Sequence, residues 1–327
     1  MEPFKYRTLL YYCYTKIKDP ESFAVTHFKF CKKLGLKGRI IVATEGLNGT
    51  VSGLTSDCEE YMSVLSERSE FAEIDFKIDQ VESPSFFRMY CRYKPEIIHL
   101  GIANSIGIDP NTVTGKHLDP AEFIQFKNRD DVVILDVRSN YEHELGHFKN
   151  SVRLDIDNFR DFPSRINELA QYKDKTIVTY CTGGIKCEKA SALLLHEGFS
   201  DVYQLKGGII RYSKETGGED FDGKCYVFDN RLAVDVNNIN PTIISTCKTC
   251  NKVSPRMINC ANPKCNQHFL QCESCGEITD GCCCDSCKNH PLKRPYDGTG
   301  FYVRILHSGL AIKKSDQITD QTNLKAV

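Results

Sequence analysis

The feature that most constrains this chain is a crowding of cysteines near its carboxyl end. Ten of the 17 cysteines lie between residues 247 and 287, in a stretch with few large apolar side chains. Such a segment buries too little apolar surface to fold on hydrophobic contacts alone. Paired Cys-x2-Cys spacings are typical of thiolate metal ligands. The segment is therefore predicted to fold around metal ions.

Two tetrahedral zinc sites with four thiolates each fit the spacing of these cysteines. Because eight ligands are needed, two of the three consecutive cysteines Cys282, Cys283 and Cys284 are spare. Iron–sulfur clusters have a different usual spacing, and a set of reduced, metal-free thiols is the alternative. His268 and His290 are alternative ligands by residue type, but they are interpreted as surface residues. The predicted ligands of two structural zinc ions are Cys247, Cys250, Cys260, Cys265, Cys272, Cys275, Cys283 and Cys287.

The bulk properties predict a cytoplasmic protein. The formal net charge is −1, so the overall charge does not indicate DNA or a membrane as a partner. The first residues lack the pattern of a signal peptide, and no apolar run approaches the roughly 18 residues of a membrane span. Thiols stay reduced in the cytoplasm, so the cysteines are expected to be ligands, nucleophiles or buried small residues.

Residues 1–95 are predicted to form a ferredoxin-like α+β domain. Hydrophobic periodicity favours the order strand, helix, strand, strand, helix, strand, which gives two βαβ-like halves. The pair Asp19-Pro20 marks a helix start, because a capping residue precedes a proline at the first helical position. The segment Gly46-Leu47-Asn48-Gly49 has turn composition and is predicted to be a turn.

Residues 116–220 are predicted to form an α/β domain with a parallel sheet. The continuous apolar runs at 132–136 and 175–180 are typical of strands covered on both faces, and a helix at 185–196 leads to a third strand at 202–205. The remaining predictions are linkers at 96–115 and 216–246, a Cys-rich zinc-binding segment within 221–305, and a flexible tail at 306–327.

The sequence CTGGIKC at residues 181–187, called the nucleophile loop below, predicts a reactive thiol. Cys181 directly follows a buried strand, and Gly183 and Gly184 precede a helix. Backbone N–H groups of such a loop can surround one atom, and the helix N-terminus adds its dipole. Both stabilise a thiolate, which lowers the pKa of the cysteine. The alternative is that Cys181 is only a small buried residue.

Several motifs carry a resemblance to a known family. The stretches ILDVR at 134–138, YEHELGHF at 141–148 and QLKGGI at 204–209 resemble rhodanese signatures. The segment CTGGIKCEKAS at 181–191 closely resembles the loop of the rhodanese-domain tRNA uridine hydroxylases, and ATEGLNGT at 43–50 is similar to their N-terminal block. That family combines an acylphosphatase-like N-terminal domain with a Cys-rich C-terminal segment, so the resemblance extends from residue 1 to about residue 305.

The resemblance implies an oxidoreductase that uses molecular oxygen to hydroxylate C5 of the wobble uridine, position 34, of tRNA to 5-hydroxyuridine. Cys181 falls on the essential cysteine of the family. Lys186 stands where the family usually has arginine, which keeps the charge but loses the forked geometry. Cys187 either resolves an oxidised Cys181 as a disulfide or simply packs.

Polar residues around the loop are predicted to be structural. Asp136 and Arg138 are interpreted as a buried ion pair that anchors the loop. Glu142 is expected to support the fold. Glu188 and Lys189 lie at the start of a helix and are expected to be solvated.

A basic, aromatic strand is the candidate RNA-binding surface. Strand alternation puts Arg88, Tyr90, Arg92 and Lys94 on one face, a composition suited to phosphate contacts and base stacking. An ordinary amphipathic edge strand is the alternative. A second candidate patch contains Lys32, Lys33, Lys37 and Arg39.

Two other functions stay open at this stage. A rhodanese sulfurtransferase would pass sulfane sulfur through a persulfide on Cys181. A non-enzymatic, zinc-containing RNA-binding protein would retain the rhodanese fold without its chemistry.

Overall fold

A computed structural model describes residues 4–102 and 106–300 of the chain. Its N-terminal part begins with a strand and a helix whose start follows the predicted capping, since the Asp19 side chain accepts a hydrogen bond from the Ser22 N–H at 3.0 Å. The elements are β1 (Tyr6–Tyr14), α1 (Pro20–Lys33), β2 (Lys37–Ala43), β3 (Gly46–Leu54), α2 (Thr55–Ser66), β4 (Lys77–Val81) and β5 (Met89–Tyr93).

The five strands of this part form one sheet in the order β4-β1-β3-β2-β5. Strands β1, β3 and β4 pair antiparallel, and β5 adds to the edge parallel to β2. Helices α1 and α2 cover one face, where Leu9 and Tyr11 are fully buried. The ferredoxin-like, acylphosphatase-like architecture predicted for the N-terminal part is confirmed.

The predicted turn at Gly46–Gly49 is wrong, because these residues belong to β3. The chain reverses one step earlier, so that Ala43 pairs with Gly46. Glycine is required here because atoms of β1 lie too close for a side chain. A Cβ at Gly49 would lie 2.3 Å from the Tyr11 hydroxyl, and one at Gly46 would lie 2.1 Å from the Cys13 carbonyl oxygen. These glycines therefore reflect close packing between neighbouring strands of the sheet and do not mark a turn.

The central part contains a parallel sheet, as predicted, and its five strands lie in the order β6-β11-β10-β7-β9. Strands β7 and β10 lie in its middle, and every residue in them except Val132 is buried because both faces of the sheet are covered. The elements are β6 (Lys116–Leu118), α3 (Pro120–Lys127), β7 (Val132–Asp136), α4 (Asn140–Leu145), β8 (Gly146–Phe148), β9 (Val152–Arg153), α5 (Phe162–Arg165), β10 (Thr176–Tyr180), α6 (Ile185–His196), β11 (Val202–Leu205) and α7 (Gly208–Thr216).

The segment 216–246 is not the linker that its composition predicts. Its strand β12 pairs with β8, and Phe221, Cys225 and Val236 are buried in the same core as the central sheet. The remaining elements are β12 (Phe221–Gly223), β13 (Cys225–Tyr226), β14 (Ala233–Val234), β15 (Met257–Asn259), β16 (His268–Leu270), α8 (Glu273–Thr279) and α9 (Asp285–Lys288).

A buried lysine joins the N-terminal and central parts. Lys189, in α6, is 0 % exposed, and its ammonium lies 2.8 Å from a Glu45 carboxylate oxygen and 2.6 Å from one of Glu96. The expectation that Glu188 and Lys189 are solvated is therefore wrong, since α6 is covered by the N-terminal sheet. Removing one member of such a buried ion group leaves uncompensated charge, which is strongly destabilising.

The predicted flexible tail at 306–327 lies outside the described residues. Within 4–102 and 106–300, none of the helices has both the length and the apolar character that a bilayer span requires.

Candidate active site

The nucleophile loop lies between the end of β10 and the start of α6. Gly184 takes a left-handed conformation with φ 101°, and its N–H donates a hydrogen bond to the Cys181 sulfur at 3.2 Å. Helix α7 holds the loop from the other side, because the N–H groups of Ile209 and Ile210 donate to the carbonyls of Cys181 and Thr182 at 3.0 and 3.1 Å. Two helix starts therefore fix the position of one sulfur.

The pKa of the Cys181 thiol is set by opposing effects. Burial raises it, but a hydrogen bond from the Cys187 side chain, the positive charge of Lys186 and the N–H groups of Lys186 and Cys187 together outweigh burial. The net effect lowers the pKa of Cys181 to about 7. A substantial fraction of this sulfur is thus ionised near neutral pH, as a nucleophile requires.

Cys187 is the hydrogen-bond donor to the Cys181 sulfur. Burial and the neighbouring Cys181 sulfur raise its pKa well above the usual thiol range. Cys187 is fully buried and therefore remains a neutral thiol that donates to the Cys181 thiolate. Packing and hydrogen bonding are its evident functions, and a role in resolving oxidised Cys181 stays a prediction.

The charged residues around the loop form two buried ion pairs. The Lys186 ammonium donates to a Glu142 carboxylate oxygen at 2.5 Å, so its charge is fixed beside the loop. The Arg138 guanidinium contacts both carboxylate oxygens of Asp136 at 2.9 and 2.7 Å and donates to the Gly146 carbonyl. The predicted Asp136–Arg138 pair is present, and it joins the end of β7 to β8.

The N-terminal sheet covers the nucleophile loop. A Cβ added at Gly183 would lie 2.9 Å from Leu10, and one at Gly184 would lie 2.8 Å from the Tyr12 hydroxyl. The Tyr12 hydroxyl donates to Glu188 at 2.9 Å. As a result, Cys181 is only 1 % exposed. Sequence reasoning missed Tyr12, although its alternation with buried Tyr11 in a predicted strand assigns it to the opposite face.

The candidate RNA-binding strand shares that face of the sheet. Pairing registers place Leu10, Thr50, Arg39 and Tyr90 side by side across four strands, and Tyr12 falls in the adjacent row with Arg92. Laterally paired residues point to the same side of a sheet. This outer face, which carries these six residues, therefore runs from the nucleophile loop to the β5 edge.

Strand β5 has the alternation that its sequence predicts. Met89 and Cys91 are buried in the N-terminal core, whereas Arg92 is exposed and its guanidinium lies 5.1 Å from the centre of the Tyr90 ring. Arg88 and Lys94 flank the strand. Arg39, from the second candidate patch, lies in the same outer face. The first patch and this residue of the second therefore form one continuous surface.

The eight predicted metal ligands form two groups of four. Within each group the sulfurs lie within 4.8 Å of one another, and Cys282 and Cys284 belong to neither group. The first group joins the first and third cysteine pairs along the chain, and the second joins the other two. The first group consists of Cys247, Cys250, Cys272 and Cys275. The second group consists of Cys260, Cys265, Cys283 and Cys287.

The sulfur spacing fits a tetrahedral metal. The Cys250–Cys272 and Cys265–Cys283 sulfur distances are both 3.7 Å. A tetrahedral ion with bonds of about 2.3 Å to sulfur separates its ligands by about 3.8 Å, whereas a disulfide bond is about 2.05 Å long. The Thr249 N–H and the Asn262 side-chain amide also point at ligand sulfurs, at 3.4 and 3.3 Å.

Comparison with known sequences agrees with this architecture. Matches were found to the UPF0176 acylphosphatase like domain at residues 6–97, the rhodanese-like domain at 119–215 and the rhodanase C-terminal region at 222–288. Fold and site together define a rhodanese-domain protein with an acylphosphatase-like N-terminal domain and a Cys-rich C-terminal region.

Curated relatives specify the family. A tRNA uridine(34) hydroxylase from Cytophaga hutchinsonii is 57% identical over 302 residues, which cover 92% of this chain and 96% of its own. Proteins of the same name from Staphylococcus carnosus and Enterococcus faecalis are 48% and 47% identical, and each match covers 92% of the relative and 88% or 89% of this chain. The chain belongs to the tRNA uridine(34) hydroxylase family, which confirms the resemblance found in its motifs.

The pKa of Cys181 predicts a pH profile for its alkylation. Iodoacetamide reaches the covered sulfur only when Leu10 and Tyr12 move away, which slows the reaction at every pH. Since the thiolate reacts and the pKa is lowered to about 7, the rate at Cys181 should still rise about tenfold per unit below pH 7 and level off above it. Peptide-resolved mass spectrometry measures this rate. Cys225 is an internal control, because burial raises its pKa to about 12 and it should stay unreactive up to pH 9. A midpoint for Cys181 at about 8.5, as for a free thiol, would contradict the assignment.

Proposed function

We propose that this chain is an oxidoreductase that hydroxylates C5 of uridine 34 in tRNA, with Cys181 as its essential residue. The observation that carries this proposal is a thiolate stabilised near neutral pH, within a chain of the tRNA uridine(34) hydroxylase family. The substrate is the tRNA and the product carries 5-hydroxyuridine. The reaction takes place in the cytoplasm, where reducing conditions keep Cys181 and the cysteine groups as free thiols.

Nucleophilic addition explains why a thiolate is needed for a reaction at carbon. The Cys181 sulfur forms a bond to C6 of uracil, and the π electrons of the C5=C6 bond move to C5 and onto O4 as an enolate. C5 then becomes the electron-rich carbon that acquires oxygen. After the C5–O bond has formed, loss of the C5 proton expels the thiolate and restores the C5=C6 bond.

Molecular oxygen is the co-substrate of this proposal. One oxygen atom becomes the 5-hydroxyl group, and the other leaves as water after accepting two electrons and two protons from an external reductant. The site contributes a fixed thiolate and the charge of Lys186 beside it. Because Cys181 is 1 % exposed, uridine reaches the sulfur only when Leu10 and Tyr12 move away from the loop.

The outer face of the N-terminal sheet provides the path by which RNA reaches the loop. Arg88, Tyr90, Arg92 and Lys94 are proposed to bind the anticodon arm, with Arg39 between them and the nucleophile. Cations there attract phosphates, and the Tyr90 ring offers a surface for a base.

The two cysteine groups are proposed to hold structural zinc. Four thiolates complete a tetrahedral zinc site and leave no open position for a substrate, so each ion would stabilise the fold of residues 247–287 rather than take part in the reaction. The 3.7 Å sulfur separations support this assignment.

Sulfur transfer is the second candidate function. The rhodanese-like match at 119–215 and the N–H groups around Cys181 suit a persulfide as well as a thiolate. Cyanide-dependent formation of thiocyanate, without any change in tRNA, would favour this function. A fully active Cys181→Ala variant would instead favour a non-enzymatic RNA-binding protein.

Nucleoside mass spectrometry tests the proposed reaction directly. In cells that lack this protein, wild type should restore 5-hydroxyuridine derivatives in tRNA, and Cys181→Ala should restore none because no thiolate remains. Cys225→Ala, which removes another buried thiol outside the loop, is the matched control and should restore them. Equal restoration by Cys181→Ala would overturn the proposal.

Zinc content tests the cysteine groups. The purified chain should contain two zinc ions by elemental mass spectrometry, and Cys272→Ser should reduce this to one, since only the first group loses a ligand. Cys284→Ser should keep both ions because Cys284 belongs to neither group. Metal-free wild type, or loss of an ion from Cys284→Ser, would show that the assignment is wrong.

Charge reversal tests the RNA path. An Arg88→Glu/Arg92→Glu variant should bind tRNA at least about tenfold more weakly, because it replaces two phosphate contacts by repulsion. The slope of log Kd against log salt should also decrease by about 0.7 for each lost contact with single-stranded RNA. Reversal of Lys173 and Lys175, on the central part, is the control that should leave affinity unchanged. An unchanged slope in the arginine variant would remove this surface from the proposal.

A further inference from the structure

Phe228 is an aromatic residue that remains accessible in a well-ordered turn. It lies between β13 and β14, and 46 % of its surface is exposed. The turn is closed by the Val227 N–H, which donates to the Leu232 carbonyl at 3.0 Å, and by the Asp229–Arg231 ion pair at 2.6 Å. An aromatic ring on a rigid turn loses little conformational entropy when it binds a ligand.

The turn is attached to the nucleophile loop at two points. The Thr182 hydroxyl donates to the Tyr226 carbonyl at 3.3 Å, and the Lys186 ammonium lies 5.4 Å from the centre of the Phe228 ring. Thr182 and Lys186 both belong to the loop that holds Cys181. Phe228 therefore lies beside the nucleophile loop, with the Lys186 ammonium near its ring.

Buried aromatic residues support Phe228 from below. The Tyr226 ring meets it edge-on at 5.0 Å and 84°, and Tyr226 is only 2 % exposed. Tyr226 in turn contacts the Tyr141 ring at 5.0 Å, and its hydroxyl lies 3.1 Å from His268 Nε2. His268 is thus half-buried in an aromatic cluster, which corrects its interpretation as a surface residue.

Arg39 connects this cluster to the outer face of the N-terminal sheet. Burial is the main reason that the pKa of His268 is lowered; Glu142 acts in the opposite direction, and the positive charge of Arg39 adds to the lowering. Arg39 also lies in one cross-strand row with Tyr90. The charge of Arg39 therefore acts on the aromatic cluster that supports Phe228, and the Lys186 ammonium lies at the Phe228 ring itself.

We propose that Phe228 stacks on an unpaired base next to the reacting uridine in the anticodon loop. An exposed aromatic ring close to an exposed cation, here Arg39, is the arrangement that binds a single-stranded nucleotide, because the ring takes the base and the cation takes a phosphate. The reacting uracil itself occupies the loop at Cys181, so the stacked base is a neighbour, at position 33 or 35. This assignment rests on the proposed function, since it takes tRNA as the ligand.

Equilibrium binding of the full-length protein to an anticodon stem-loop RNA tests Phe228. Phe228→Ala should weaken binding by about 5- to 150-fold, the range for loss of one base–aromatic stack. Phe228→Tyr should bind like wild type, and Phe228→Leu should lose affinity although it keeps an apolar side chain. Phe4→Ala is the matched control, because Phe4 is equally exposed at 46 % and contacts Thr55 through its backbone.

Abasic RNAs identify the stacked base. The loss of affinity caused by Phe228→Ala should fall to less than twofold on an RNA that is abasic at position 33 or at position 35. The same loss should persist on an RNA that is abasic at position 34. The assignment is overturned if Phe228→Ala binds intact RNA within twofold of wild type, if Phe228→Leu binds like wild type, or if only the RNA abasic at 34 removes the cost. Binding is measured without turnover, so protein that stacks RNA but forms no 5-hydroxyuridine would overturn the proposed function alone.

Discussion

The site depends on the stabilisation of one buried negative charge. The Gly184 N–H, the neutral Cys187 thiol and the ammonium of Lys186 all favour the ionised form of Cys181, against a burial that disfavours it. Since a buried ion is costly without such partners, the left-handed Gly184 and the start of α6 direct N–H groups at the sulfur, and the start of α7 holds the loop through its carbonyls. Lys186 can stabilise the thiolate because its ion pair with Glu142 fixes the ammonium beside the loop.

Closure of the site by the N-terminal sheet adds a second constraint. Lys189 binds Glu45 and Glu96 in the interface, and Tyr12 donates to Glu188, so the sheet is attached to the helix that begins at the nucleophile loop. A thiolate covered in this way is protected from solvent and from adventitious oxidants. The same contact brings the outer face of the sheet, with Arg39 and Tyr90, toward the sulfur.

The Cys-rich segment completes the surroundings of the site from the other side. Its two ligand groups interleave, so each group ties together parts of the chain that are more than 20 residues apart, such as Cys250 and Cys272. Met257 and Leu270 of the same segment pack with Leu145 and Tyr226 in one apolar cluster. The segment thereby supports the turn that carries Phe228, close to the nucleophile loop.

Local chemistry along the sequence determined most strands and helices, the nucleophile loop at 181–187 and the eight cysteines that cluster in two groups, because periodicity, capping and Cys-x2-Cys spacing act over a few residues. Predictions from local patterns were wrong where the conformation or burial of a residue depends on a residue distant in the sequence. Gly49 makes room for Tyr11, and Lys189 is buried because Glu45 and Glu96 surround it. Only the tertiary structure decided which cysteine pairs share a group, and only it placed Tyr12 and Phe228 beside the nucleophile loop, since the packing of separate parts of the chain fixes those contacts.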